Sequence, residues 1–306
     1  METLARTALH LTLLLLCAPL LQGVIGRTKA LFAGRVGAPL LQPYYDLGRL
    51  LRKECVFSQT TTWVFLAGPV VGVAVPVLAA LLMPFGALPA PVAFTGDLLL
   101  FVYLFGVARF FTVAAALDTG SSFEGMGGAR EVTFACLAEP IVLFCLIVLA
   151  RIADGVSLTA LFGPHLAQAW RGPTGLSLGL VVVCLLVVLL VENSRIPFDD
   201  PNTHLELTMI HEVMVLDHSG PPFALILYGA ALKLMVLGAP VVRLLLPVTT
   251  GSWAGDALVF LLGMLLLAMA IGVIESIMAR LRLVRIPQVL IGTTMLSAFA
   301  LILVLR

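Results

Sequence analysis

Eight long apolar runs separated by polar stretches set the pattern of this chain: Ala8–Ile25, Trp63–Met83, Leu98–Leu117, Val132–Leu149, Leu176–Val191, Phe223–Leu246, Ala257–Ile274 and Val289–Leu305. Crossing the hydrocarbon core of a bilayer takes about 20 apolar residues in a helix. The apolar positions run on continuously and do not alternate, so each run predicts a spanning helix, not a barrel strand. Pro69, Pro76 and Pro140 fall inside runs. Spanning helices tolerate them because neighbouring groups re-satisfy the freed backbone. Before Cys17 stands Leu16, where a lipoprotein signal needs a small residue, so the first run reads as a retained helix. The expectation is an all-α polytopic membrane protein, with residues 1–306 forming a single membrane domain.

Composition agrees. Of 306 residues, 60% are hydrophobic and 11% charged, and the mean hydropathy is +1.10. A soluble domain carries about 25% charged residues, so that class is excluded, and so is disorder. A net charge of +1 without a basic block gives no reason to expect nucleic acid. The basic residues are nonetheless unevenly placed. Odd-numbered loops hold Arg27, Lys29, Arg35, Arg49, Arg52, Lys53, Arg130, Arg195, Arg280, Arg282 and Arg285. Even loops and termini hold only Arg6, Arg151, Arg171, Arg243 and Arg306. The positive-inside rule then puts the odd loops in the cytoplasm and both termini outside. Clustered thiolates are missing: the five cysteines include no Cys-x-x-Cys pair, so no redox centre is expected on this chain.

The first loop places Leu40, Tyr44, Leu47 and Leu51 on one helical face, with Asp46, Arg49 and Lys53 elsewhere. That pattern predicts an amphipathic helix lying in the membrane interface. In the third loop, Asp118-Thr119-Gly120-Ser121 matches the aspartic-protease tetrapeptide, but no second copy supplies the partner aspartate. The glycines of Gly125-Met126-Gly127-Gly128 read as a tight turn against another protein. The fifth loop, from Glu192 to Gly220, carries Arg195, Asp199, His204, Glu206, His211, Glu212 and His218. Its histidines are seven apart, which on a continuous helix means about 10.5 Å of rise per step. Two of them could not then share a metal with bonds of ~2 Å, and proton handling or docking suits the mixture better.

Arg109, Glu139 and Lys233 lie inside the expected spans, with Glu131, Glu192 and Glu275 at helix ends. A central Arg or Lys costs roughly 2.5–3.5 kcal/mol on insertion scales, and intramembrane ionisable groups are functional by default. Snorkelling is an equally good account of Arg109, and the opposite signs of Glu139 and Lys233 permit a static pair. Against that pair stands a hydrated proton path through Glu139 and Glu192.

Read together, the odd loops resemble those of the eight-helix membrane subunit shared by respiratory complex I and the membrane-bound group 4 NiFe hydrogenases. The matching pieces are Gly34-Arg35-Val36-Gly37, Gln42-Pro43-Tyr44-Tyr45-Asp46 and Lys53-Glu54, then Asp118-Thr119-Gly120-Ser121, Gly125-Met126-Gly127 and Arg130-Glu131, then Glu192-Asn193-Ser194-Arg195-Ile196-Pro197. Complex I subunits usually follow that proline with a Glu-Gly-Glu-Ser-Glu-Leu-type stretch. Here Asp199-Asp200-Pro201-Asn202-Thr203-His204 leads to His211-Glu212, which looks like the formate hydrogenlyase and hydrogenase-4 branch.

The resemblance implies a subunit that anchors hydrogenase large and small subunits and iron–sulfur proteins on its cytoplasmic loops. Those partners would carry the NiFe and iron–sulfur clusters. It also implies a trail of acidic residues leading to antiporter-like membrane subunits in a bacterial or archaeal cytoplasmic membrane. By motif position the proton-path candidates are Glu131, Glu139, Glu192, Glu206 and Glu212, with Lys233 beside them. Docking candidates are Arg35, Gln42, Asp46, Asp118, Arg130, Arg195, Asp199, His204 and His211. The competing readings are the quinone-chamber subunit of a complex I-type enzyme and a free-standing ion transporter, the latter disfavoured by the lack of an internal repeat.

Overall fold

A computed structural model describes residues 2–199 and 209–306. The helices in chain order are α1 (Glu2–Phe32), α2 (Gln42–Leu50), α3 (Trp63–Leu82), α4 (Asp97–Asp118), α5 (Ser122–Ala153), α6 (Leu158–Leu161), α7 (Leu166–Arg171), α8 (Gly175–Glu192), α9 (Gly220–Leu245), α10 (Trp253–Ile277) and α11 (Ile286–Leu305). Single 3₁₀ turns occupy Glu212–Val215 and Leu283–Arg285. Among the described residues every regular element is helical, and eight helices are long and apolar enough to cross a membrane. All eight apolar runs of the sequence are therefore spans, and the chain is a multi-pass membrane protein. The amphipathic segment of the first loop forms α2, which packs on α1 and α9.

Helix α9 is the most enclosed of the spans and α4 the least. α3 packs along α4 on one side and α9 on the other, while α5 packs on α4, α8 and α11. Gly229 is what lets α9 come close to α3: a Cβ there would lie 2.6 Å from the Gly72 carbonyl oxygen. That carbonyl is one that Pro76, four residues on, cannot satisfy.

The same device recurs with side chains as the rescuers. Pro19 leaves the Leu15 carbonyl without its helical donor, and Tyr228 Oη donates to it at 2.9 Å. Pro69 does this to Phe65, whose carbonyl meets His218 Nε2 at 3.3 Å. In the last turn of α3, where carbonyls lack helical donors, the Ala80 carbonyl meets His10 Nε2 at 2.8 Å. A carbonyl can only accept, so both imidazoles carry their proton on Nε2. Each proline thus creates a polar point that a distant helix or loop answers.

Two expectations about the third loop are corrected. Its glycines are not a turn facing another protein, because α5 already begins at Ser122 and they lie within it. At Gly127 a Cβ would sit 2.3 Å from Val213 Cγ1 and 3.0 Å from the Ile210 carbonyl, so the glycine admits this chain's own fifth loop. Glu124, fully buried one turn earlier, accepts from Thr119 Oγ1 and from the Asp217 backbone N–H at 3.2 Å. Glu131 consequently stands well inside α5, not at a helix end.

Candidate functional site

Four spanning helices bring their charged side chains to one point. Arg109 of α4 donates from one terminal nitrogen to Glu139 Oε1 of α5 at 2.8 Å and from the other to Glu192 Oε1 of α8 at 2.6 Å. Its Nε lies 3.9 Å from Glu131 Oε1. Lys233 of α9 completes the set, with Nζ 2.8 Å from Glu192 Oε2. Three carboxylates and two cations therefore form one network, in which the Arg109 side chain is 11% exposed and that of Glu192 10%. A planar guanidinium suits this duty, since its fork of donors can serve several carboxylates at once.

The pairing differs from the static Glu139–Lys233 alternative: Lys233 pairs with Glu192, and Glu139 with Arg109. Arg109 does not snorkel either. Mid-way along a 22-residue helix it is too deep to reach the interface, and the carboxylates of two neighbouring helices hold it there. That depth was the signal in the sequence for its central role.

Beside the network lies a cavity of about 100 Å³, bounded by Gly68, Pro69, Gly72 and Pro76 of α3, by Arg109, Glu131, Glu192 and Lys233, and by His211 and His218 of the fifth loop. Its walls are mostly apolar, but the charged and imidazole groups on one side and its size give room for a few water molecules. A smaller pocket shares Glu131, Glu192 and Ser194 with it and reaches Asp199 and Ile210. Pro69 and Pro76 of α3 line the cavity, and membrane interiors tolerate such interruptions of the helical ladder where protein or a cavity adjoins them.

The remaining candidates divide. Glu206 and His204 lie outside the described residues. Glu212 sits in the 3₁₀ turn, away from the Arg109 network; burial raises its carboxyl above the ordinary value. His211 and His218 are not on one continuous helix, because the chain passes through that turn before α9 begins. Burial also holds His218 below its ordinary value, keeping the ring neutral.

Several docking candidates are engaged within the chain. Asp118 accepts from the Thr62 backbone N–H at 2.6 Å and its hydroxyl at 2.8 Å. Arg130 donates to the Met209 carbonyl at 2.7 Å. Arg195 pairs with Glu275, which also holds Lys29 at 2.8 Å. Asp199 pairs with Arg280 and accepts from the Ile210 and His211 backbone N–H groups. Gln42 donates to Asp46, which pairs with Arg49, while Arg35 is exposed. These bonds fasten the first, third, fifth and seventh loops into one face.

Comparison with known proteins agrees with this architecture. The chain is 31% identical over 284 residues to formate hydrogenlyase subunit 4 of Escherichia coli (strain K12), covering 89% of each chain. It is 30% identical to hydrogenase-4 component C of the same organism, covering 90% of this chain and 88% of that one. A subunit of the NADH-quinone oxidoreductase of Syntrophotalea carbinolica is 29% identical over 77% of this chain and 72% of its own. A chain of the membrane-bound sulfane sulfur reductase, an archaeal respiratory membrane complex, shares the fold with a TM-score of 0.83 at 17% identity, covering 99% of this chain and 100% of that one. The family model described as NADH dehydrogenase matches residues 5–306, and this chain belongs to that family.

Proposed function

We propose that this chain is the membrane anchor and ion-path subunit of an energy-converting NiFe hydrogenase or formate hydrogenlyase complex. Support comes from the two relatives at 30% identity or above, which are subunits of a formate hydrogenlyase and of hydrogenase-4. In this reading the odd loops face the cytoplasm, both termini lie outside, and hydrogenase and iron–sulfur subunits sit on the loop face. The redox centres belong to those partners, and antiporter-like subunits adjoin in the bilayer.

The observation that carries the ion-path role is the sharing of one guanidinium among three carboxylates beside a cavity that Arg109, Glu131, Glu192, Lys233, His211 and His218 border. Arg109 holds Glu139 and Glu192 closely, and Glu131 stands farther off at 3.9 Å. A proton delivered to Glu192 weakens its hold on both Arg109 and Lys233. The guanidinium is then free to turn toward Glu131, and the ammonium of Lys233 loses its anion. Charge at one end of the network thereby moves charge at the other. His211, His218 and Asn193 place polar groups along the cavity between this network and the fifth loop.

The test is Glu192→Gln in the assembled complex, with subunit abundance, hydrogen evolution and proton movement scored separately. Glutamine keeps the shape and an acceptor, so the complex assembles, while coupling falls at least tenfold. Normal assembly with undiminished turnover and coupling would end the ion-path reading.

A further inference from the structure

Glu139 is the one carboxylate of the Arg109 network that faces outward: its side chain is 49% exposed, near the middle of the 32-residue helix α5. It opens into a groove of about 300 Å³ between α4 and α5, lined by Gly106, Arg109, Val113, Ala135 and Cys136 among others. Arg109 borders both this groove and the inner cavity, so the network reaches from the core of the molecule to its flank. The flank is bare. Only 17% of the most apolar 18-residue stretch of α4 is buried, and Tyr103, Phe110 and Leu117, spaced by seven, are all exposed along the helix.

Charge decides what can cover this flank. The network counts Glu131, Glu139 and Glu192 against Arg109 and Lys233, a surplus of one negative charge with its exposed member on the groove. Pro140 adds to this, because it cannot donate to the carbonyl of Cys136, which lines the same groove. Both features are acceptors. Lipid tails offer neither a donor nor a countercharge, and an ionised group facing hydrocarbon is costly. Small residues at Gly106, Ala114 and Ala135 leave room for close helix approach, and a seven-residue stripe of large side chains is what a partner helix packs between.

We infer that the α4–α5 flank docks a spanning helix of a second membrane subunit, and that this helix brings a lysine or arginine to Glu139. The inference rests on the reading of the chain as a complex subunit and names the face and the chemistry of one membrane contact. The partner's cation balances the network and shares Glu139 with Arg109, so a change in either subunit is felt electrostatically by the other.

Cys136 is an exposed native thiol in the groove and reports on it directly. In a Cys17→Ser, Cys55→Ser background, a membrane-permeant maleimide is applied to the intact complex and to the isolated subunit in detergent. Labelling of Cys136 is expected to fall at least tenfold in the complex. Phe110→Cys joined to its neighbour by a short thiol-reactive photocrosslinker should yield a product whose mass identifies a second membrane subunit and a helix of it that carries a lysine or arginine. Glu139→Lys should release that subunit while Arg109 keeps Glu192. If no complex can be isolated at all, the functional reading fails. Should an intact complex label Cys136 as fast as the free subunit, or crosslink only to a second copy of this chain, the docking inference falls and the functional reading stands.

Discussion

At the scale of single residues, Arg109 holds two carboxylates and stands within 3.9 Å of a third. Removing it would leave three carboxylates with only Lys233 between them, and breaking a buried pair in this way costs about 3–5 kcal/mol. Arg109→Gln should therefore lower subunit abundance in membranes severely. Arg109→Lys keeps the charge but offers a point in place of a fork. It should assemble better than the glutamine variant while its thermal midpoint in detergent still falls below wild type. Equal midpoints for wild type and Arg109→Lys would mean that the three-way clamp contributes nothing. The charged residues themselves were legible in the sequence, because ions within apolar runs stand out. Their partners were not. Nothing in the spacing of Glu139, Glu192 and Lys233 says which carboxylate meets which cation, since that depends on how α4, α5, α8 and α9 rotate about their axes.

At the scale of elements, hydropathy located all eight spans, because a bilayer demands length and apolarity and little else. It placed the start of α5 ten residues late. Ser122–Glu131 is polar and glycine-rich, so periodicity is silent there; its tertiary ties are the close approach of Gly127 to Val213 and the bonds of Glu124 and Arg130 to the fifth loop. The fifth loop shows how a proline in one element governs another. His218 fills the carbonyl that Pro69 frees in α3, and its ring stacks on Phe65 with centroids 3.9 Å apart. Burial lowers its proton affinity below the ordinary 6.5. The unfolded chain then binds a proton that the folded loop refuses, so stability is lost as pH falls from about 6.5 toward the lowered value. Glu212 acts in the opposite sense: burial raises it above 4.5, so its contribution grows as pH falls through that raised value. In a Glu212→Gln background, limited proteolysis of the fifth loop should quicken between pH 7.5 and 5.5. A further His218→Gln change should remove that dependence, because glutamine keeps a donor for Phe65 without titrating. A pH dependence that survives His218→Gln would assign it to another group.

At the scale of the whole molecule, the loop face is where the polar sequence of the odd loops collects, and its internal bonds decide which parts are free to bind anything. Asp118, Arg130, Arg195 and Asp199 stitch loops to one another, so they shape the face more than they present themselves on it. The first loop is one part that remains outward, and the seventh, with Arg282, Val284 and Arg285 exposed, is another. In the first loop, Arg35, Arg52 and Lys53 are exposed beside Val36, which is 87% exposed, Val56 and Phe57. Exposed apolar side chains among basic ones mark a surface made for contact. Ser122 at the start of α5 is exposed on the same face, and Asn202 lies outside the described residues. Val36→Cys and Ser122→Cys in a Cys55→Ser background, treated with a membrane-impermeant maleimide, separate the possibilities. Inverted vesicles expose the cytoplasmic side, so labelling of the isolated subunit in them but not in right-side-out vesicles fixes the face as cytoplasmic. In the intact complex both positions should then react at least tenfold more slowly, because soluble subunits of standard interface size bury about 800 Å² per partner. Protection at Val36 alone would confine docking to the first loop. Equal labelling of both in the complex and in the free subunit would sink the docking role of this face, whatever the flank of α4 and α5 is found to bind.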